Sequence, residues 1–223
     1  MVNLGDVFPD FEAESTQGKL KFHAWMGGSW SILFSHPADF TPVCTTELAD
    51  VQRLSEEFKK RGVKLVALSC DDTKSHCDWS KDVIAYCKKG SSCQDKELSF
   101  PIISDPKREL AVQLGMVDPD EKDAAGLPLT CRAVFIIGPD NKLKLSMLYP
   151  ATTGRNFAEI LRVVDSLQLT ATKKVATPAN WQAGGEVMVV PSLSKEEALA
   201  QFPNHEVFDV PSKKSYIRLT TLD

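Results

Sequence analysis

Cys44 lies in the stretch S-H-P-A-D-F-T-P-V-C-T-T-E-L, residues 35–48, directly behind the apolar run Ile32-Leu33-Phe34. Thr41 is suited to cap a helix, and Pro42 to fill the first helical position, where its missing N–H costs nothing. Cys44 then falls in the first turn. There the unpaired backbone N–H groups and the positive end of the helix dipole favour a thiolate over a thiol. A thiol so placed is either an activated nucleophile or a small buried hydrophobe, the common fate of a free cysteine. The flanking residues decide between the two.

Pro37, Thr41 and Cys44 form the pattern P-x-x-x-T-x-x-C, which resembles the active-site motif of the peroxiredoxin family. The run F-T-P-V-C-T-T-E resembles its 1-Cys, peroxiredoxin-6-like branch. The likeness continues through L-G-M-V-D-P, C-R-A-V-F-I-I-G-P-D and L-Y-P-A-T-T-G-R-N. The resemblance implies an α/β, thioredoxin-like fold of the AhpC/TSA type with a small C-terminal α+β domain that joins a homodimer. It implies a thiol-dependent, antioxidant peroxidase acting on hydrogen peroxide and organic hydroperoxides, phospholipid hydroperoxides among them. Cys44 becomes a sulfenic acid, and an external thiol such as glutathione, delivered directly or through a glutathione transferase, restores it. No cofactor or metal is implied.

Such chemistry needs donors aimed at the charge that develops on the leaving oxygen. Thr41 lies one helical turn before Cys44, so its hydroxyl can reach the sulfur or a peroxide oxygen. The N–H groups of Val43 and Cys44 can donate to substrate, and Pro37 can shield the pocket. The positive charge is expected from Arg132, which opens the strand A-V-F-I-I, where a charge is costly unless an ionic partner meets it. The alternative for Arg132 is a strand end at the surface. Arg155, in T-T-G-R-N, matches a second family arginine, and His36 is placed to orient the loop. In two-cysteine relatives a resolving cysteine lies in the C-terminal region; here no cysteine follows Cys131.

Relatives of this branch also carry a G-x-S-x-G motif associated with phospholipase A2 activity. The matching stretch is Gly27-Gly28-Ser29-Trp30-Ser31, with Ser31 in place of the last glycine. Ser29, His23 and Asp140 match the proposed triad positions, and weak phospholipid contact goes with that reading. The glycine of a nucleophile elbow permits a tight strand-to-helix turn. Ser31 instead leads into a strand, so an ordinary turn serine is the expectation. A third class, a redox-sensing interaction protein, would use Cys44 to signal rather than to turn over.

The elements that must hold these residues can be read from periodicity. Trp30 to Phe34 and Val63 to Ser69 are continuously apolar, as buried central strands are. Between them a helix from Pro42 to about Arg61 places Leu48, Val51, Leu54 and Phe58 on one face. A second helix starts at Asp71-Asp72-Thr73 and runs to Tyr86. The order β-α-β-α predicts a parallel or mixed sheet with packed helices. Phe8 to Phe11 and Lys19 to Phe22 read as short strands, Cys87 to Ser99 and Asp118 to Pro128 as loops. Ala133 to Ile137 and Leu143 to Leu148 read as a hairpin, and Asn156 to Leu167 as an amphipathic helix. A polar stretch at 169–175 predicts a boundary between a domain of residues 1–169 and one of 170–223. The latter carries small β elements and a helix at Lys195 to Gln201.

The 223 residues are 43% hydrophobic and 25% charged, with 26 basic against 30 acidic side chains. That near-balance argues against nucleic acid as a partner. The start, Met1 to Asp6, lacks the basic and apolar regions of a secretory signal. Six cysteines, at 44, 70, 77, 87, 93 and 131, include no C-x-x-C pair, and reducing cytosol is the expected compartment.

Overall fold

The computed structural model describes residues 2–91 and 93–222, which fall into two compact units dividing between Phe157 and Ala158. The division comes at the start of a helix, ahead of the polar stretch at 169–175, because that helix runs on without interruption through Thr172.

The first unit opens with β1 (Glu12–Ala13), β2 (Leu20–Lys21) and α1 (Phe22–Met26), then β3 (Trp30–Ser35), α2 (Pro42–Arg53), α3 (Ser55–Lys60) and β4 (Val63–Ser69). It continues with α4 (Thr73–Cys87), β5 (Ile102–Ser104), α5 (Glu109–Gln113), β6 (Val117–Lys122), β7 (Pro128–Thr130), β8 (Arg132–Ile137) and β9 (Leu143–Tyr149). The central sheet has the order β5-β4-β3-β8-β9. β3, β4 and β5 run parallel, while β8 is antiparallel to both β3 and β9. This is the mixed sheet that the alternating strands and helices predict. β3 lies at its centre, with Leu33 level with Val66 on one side and Phe135 on the other. All three are buried in a core that also takes Phe8, Phe22, Leu68 and Ile137. The chain leaving the C-terminal end of β3 therefore starts from a rigid platform.

Four expectations change. Phe8 to Phe11 forms no strand, and the first strand is Glu12–Ala13. The helix expected from Pro42 to Arg61 breaks at Leu54 (φ −92°, ψ 0°) into α2 and α3. Arg53 turns its guanidinium onto the carbonyls of Tyr86 and Cys87 at the end of α4. Glu56 and Glu57 then suit a fresh helix N-terminus, where the dipole is positive. Phe22 opens a helix instead of closing a strand. The stretch expected as a loop at Asp118 to Pro128 is mostly a hairpin, β6 against β7. Its tip is organised by Asp123, which accepts from the N–H groups of Ala125 and Leu127 and from Arg108 at 2.6 Å.

The second unit holds α6 (Phe157–Thr172, whose first residue belongs to the first unit), β10 (Val175–Ala176), β11 (Val187–Val189), α7 (Lys195–Gln201), β12 (Glu206–Val207) and β13 (Arg218–Thr220). Its antiparallel sheet has the order β10-β11-β13-β12. α7 spans the expected residues and starts with a reciprocal cap between Ser194 and Glu197. Val175, Trp181, Val187, Val189, Ala198 and Phe202 form a small core. Among the described residues, no helix is long and apolar enough to cross a membrane.

Candidate active site

α2 begins as its sequence dictates. Thr41 is extended (φ −113°, ψ 147°), Pro42 is the first helical residue, and Cys44 sits in the first turn, fully buried. Thr41 makes no side-chain capping bond; its hydroxyl donates to the Ala38 carbonyl at 2.8 Å. That leaves the oxygen's lone pairs free to accept a proton donor. Pro37 is buried in the loop before it. Phe40, next to Thr41, is exposed and adopts φ 53°, a left-handed conformation that is strained for a bulky residue.

Arg132 stands at the head of β8, almost fully buried. Its Nη1 lies 3.4 Å from Cys44 Sγ and 2.7 Å from Glu47 Oε2, while Nε and Nη2 donate to the Ala151 carbonyl at 3.0 and 2.6 Å. The surface alternative for this arginine is thereby removed. Arg155 is also buried. It meets Glu47 three times, through its backbone N–H at 2.7 Å, Nε at 2.9 Å and Nη2 at 2.8 Å, and donates from Nη1 to the Ala133 carbonyl. Its guanidinium lies over the rings of Phe34 and Phe157. Burial works to raise the Glu47 carboxyl, but the hydrogen bonds and charge of Arg155, aided by Arg132, hold it below its ordinary 4.5. Two guanidinium groups thus share one carboxylate, and the nearer one also faces the sulfur.

Glu47 is the residue that sequence reasoning missed. A glutamate in the first turns of a helix looks like an ordinary solvated or dipole-pairing side chain. The available signal is its spacing, three residues after Cys44 and so on the same helix face.

His36 is buried behind the loop. Its Nε2 bonds Asp39 Oδ1 at 2.8 Å, and Asp39 Oδ2 takes His76 Nδ1 at 2.7 Å and the Ser75 hydroxyl at 2.8 Å. The ligand-type atoms of these three side chains lie within 4.8 Å of one another, and the three hold each other by hydrogen bonds. Burial pushes His36 down, toward its neutral form, against the pull of Asp39. Burial favours protonated Asp39, but the two imidazoles override it and hold the carboxyl well below the usual range. The loop is further strapped by the Thr130 hydroxyl, which donates to the His36 carbonyl at 2.6 Å. Asp39→Asn should lose about 1–3 kcal/mol of stability, the cost of leaving buried hydrogen-bonding groups of His36, His76 and Ser75 without their acceptor, measurable as a lower midpoint in urea unfolding.

The serine constellation does not come together. His23 Nε2 bonds the Phe8 carbonyl at 2.7 Å, and Asp140 pairs with Lys144 at 2.7 Å. Ser29 follows α1 in a turn held by its N–H on the Met26 carbonyl, so a helix leads into a strand there, the reverse of a nucleophile elbow. Among the described residues no hydrogen bond links Ser29, His23 and Asp140.

Comparison with known proteins agrees with this geometry. The AhpC/TSA family matches residues 4–146, and the C-terminal domain of 1-Cys peroxiredoxin matches residues 166–205. Peroxiredoxin-6 of Gallus gallus is 63% identical over 219 residues, covering 97% of this chain and 96% of that one. Peroxiredoxin-6 of Homo sapiens is 58% identical with the same coverage. Among solved structures, a cysteine-to-serine mutant of the peroxiredoxin 6 of Arenicola marina superposes with a TM-score of 0.95 at 64% identity, covering 99% of this chain and 98% of that one. A yeast mitochondrial 1-Cys peroxiredoxin, whose thiol is resolved via glutathione/thioredoxin systems, matches with a TM-score of 0.87 at 40% identity over the whole of both chains. A thioredoxin-like core with a thiol at the start of its helix, and a C-terminal unit of the matching kind, place the chain in the AhpC/TSA family of peroxiredoxins, in the 1-Cys, peroxiredoxin-6-like branch.

Proposed function

We propose that this thiol-dependent peroxidase turns over on Cys44 with Arg132 as its electrostatic partner. The observation that carries the assignment is the 3.4 Å approach of Arg132 Nη1 to Cys44 Sγ in the first turn of α2. The Cys44 thiolate attacks one oxygen of the peroxide, the O–O bond breaks, and the sulfur gains that oxygen as a sulfenic acid. The other oxygen leaves as an alkoxide or hydroxide and takes a proton to become alcohol or water. Arg132 and the first-turn N–H groups face the charge as it moves from sulfur to the departing oxygen. The Thr41 oxygen accepts from the peroxide O–H and orients it, and Pro37 keeps bulk water out. Glu47 and Arg155 are positioning residues that fix the angle of Arg132. His36, through Asp39, fixes the loop. Full burial of Cys44 means that only a slim O–O terminus reaches the sulfur.

An external thiol then attacks the sulfenic sulfur, forming a mixed disulfide with Cys44 and releasing water, and a second thiol breaks that disulfide and frees the Cys44 thiol. Two other thiols in the same unit are poor resolving partners. Burial pushes Cys70 up to about 11 and also raises Cys131, which lies in the hydrophobic core. Glutathione is the reductant we propose, alone or presented by a glutathione transferase, and reducing cytosol is a compartment that supplies it. The homodimer we propose forms along β9, an edge strand of the central sheet that pairs with Gly5 and Asp6 at Leu143, has no further strand beyond it among the described residues, and exposes Leu148. The C-terminal unit serves that assembly.

One equivalent of hydrogen peroxide in the presence of dimedone should give one adduct on the wild type and none on Cys44→Ser, read by intact mass. Loss of two hydrogens on Cys44 without an adduct would show an internal resolving thiol and end the 1-Cys assignment.

A further inference from the structure

α4 carries a histidine that the reaction at Cys44 does not touch. His76 is fully buried near the start of that helix, and each of its ring nitrogens faces an oxygen. Nε2 lies 3.2 Å from the Ile103 carbonyl, which can only accept, so Nε2 carries a proton. Nδ1 lies 2.7 Å from Asp39 Oδ2. Three groups converge on that carboxyl: His76 Nδ1, the Ser75 hydroxyl at 2.8 Å and His36 Nε2 at 2.8 Å. A carboxylate accepts from all three, whereas a carboxylic acid would have to donate to one of them. The arrangement calls for a second proton on His76, at Nδ1. His36 is the opposite case. Its Nδ1 is buried with no hydrogen-bond partner among the described residues, so its single proton belongs on Nε2, where Asp39 accepts it. The two rings, 6.0 Å apart, thus differ in charge.

We propose that His76 is a positioning residue for the peroxidase reaction, a buried imidazolium that holds the loop before Cys44 from behind through the Asp39 carboxylate. The inference rests on Cys44 as the reacting sulfur. Asp39 stands midway between Pro37 and Thr41. Its main chain is gripped as well as its side chain, for its N–H donates to Asp71 Oδ2 at 2.9 Å, and the Ser69 hydroxyl donates to the same oxygen at 2.8 Å. The start of α4 and the end of β4 therefore fix one loop residue from two directions. The Thr41 hydroxyl donates to the carbonyl of Ala38, the residue before Asp39, so the direction in which Thr41 faces peroxide follows from where Asp39 is held. A neutral His76 would satisfy only one of its two acceptors, and either the loop or β5 would lose its tie to α4. The opposite charges of His76 and Asp39 cancel, which is what lets both stay buried.

The test uses the full-length reduced protein with its histidines isotopically labelled on both ring nitrogens. Long-range proton–nitrogen correlation spectra near neutral pH report each nitrogen as protonated or bare. The expected result is a ring with two protonated nitrogens whose signals vanish in His76→Gln. In Asp39→Asn that ring should lose one proton, a change that a merely space-filling histidine would not show. A bare nitrogen on His76 in the wild type would overturn the proposal, as would a His76 that stays doubly protonated in Asp39→Asn. In single-turnover stopped flow, His76→Gln should oxidise Cys44 more slowly by up to about 10²-fold, the cost of misplacing a reacting group by about 1 Å. A wild-type rate in His76→Gln would remove His76 from the reaction. Failure of the wild type to consume peroxide at Cys44 would instead end the peroxidase reading, and the ring spectra would still decide the charge of His76.

Discussion

Arg132→Met should lower kcat/KM for hydrogen peroxide by about 10²–10³-fold, the range for removing one donor aimed at developing charge. Methionine keeps much of the length and removes the guanidinium that lies 3.4 Å from Cys44 Sγ. Arg132→Lys should recover little. A lysine ammonium cannot donate in one plane to Glu47 and the Ala151 carbonyl, as the guanidinium does, and still face the sulfur. Stopped-flow consumption of peroxide under single-turnover conditions measures the sulfur step without interference from the reductant. A loss below threefold in Arg132→Met would remove Arg132 from the reaction.

Glu47→Gln should cost both stability and rate. The substitution keeps the shape but leaves two buried guanidinium groups without their carboxylate, a change of about 3–5 kcal/mol for a broken buried pair. The pH dependence has a definite sign. The Glu47 carboxyl is held below its ordinary 4.5 in the folded chain, so the unfolded chain binds the proton first as acid is added. Its contribution is fully present above about pH 4.5, the unfolded value, and is lost as pH falls through the lower folded value. The gap in unfolding free energy between wild type and Glu47→Gln should therefore be widest near neutrality and narrow below that point. A gap that stays constant from pH 7 to pH 3 would mean that the charge of Glu47 does not stabilise the fold. Unlike Arg132→Met, Glu47→Gln leaves the reacting guanidinium in place, so its rate loss should be smaller and should shrink in the presence of stabilising osmolyte.

The parts of this site that could be read from the sequence are those set by local chemistry. Thr41 and Pro42 mark a helix start whatever surrounds them, and Cys44 follows by counting. Arg132 was accessible because a charge opening an apolar strand calls for a partner. Glu47 was not, because its main partner Arg155 is 108 residues away and only the folded sheet brings them together. The same contrast holds for the fold. Continuously apolar β3 and β4 declare themselves, whereas the β6–β7 hairpin is built on backbone pairing under a charged, proline-containing sequence. Leu54 and Phe58 keep the apolar period of one long helix across a break at Leu54, beside which Arg53 bonds the end of α4. Ser29, His23 and Asp140 came from resemblance to relatives, and the folded chain gives His23 and Asp140 to other partners.

The shared carboxylate has a consequence for the order of events in turnover. With Cys44 as thiolate, its charge and that of Glu47 balance Arg132 and Arg155. A sulfenic acid is neutral, so oxidation leaves the buried cluster with one positive charge in excess. Low dielectric makes that surplus expensive to keep. On the mechanism proposed above, the oxidised protein should attract an anion more strongly than the reduced protein does. In the proposed cycle the anion that relieves it is the thiolate of the first incoming reductant, so each oxidation prepares the binding of the molecule that begins to reverse it.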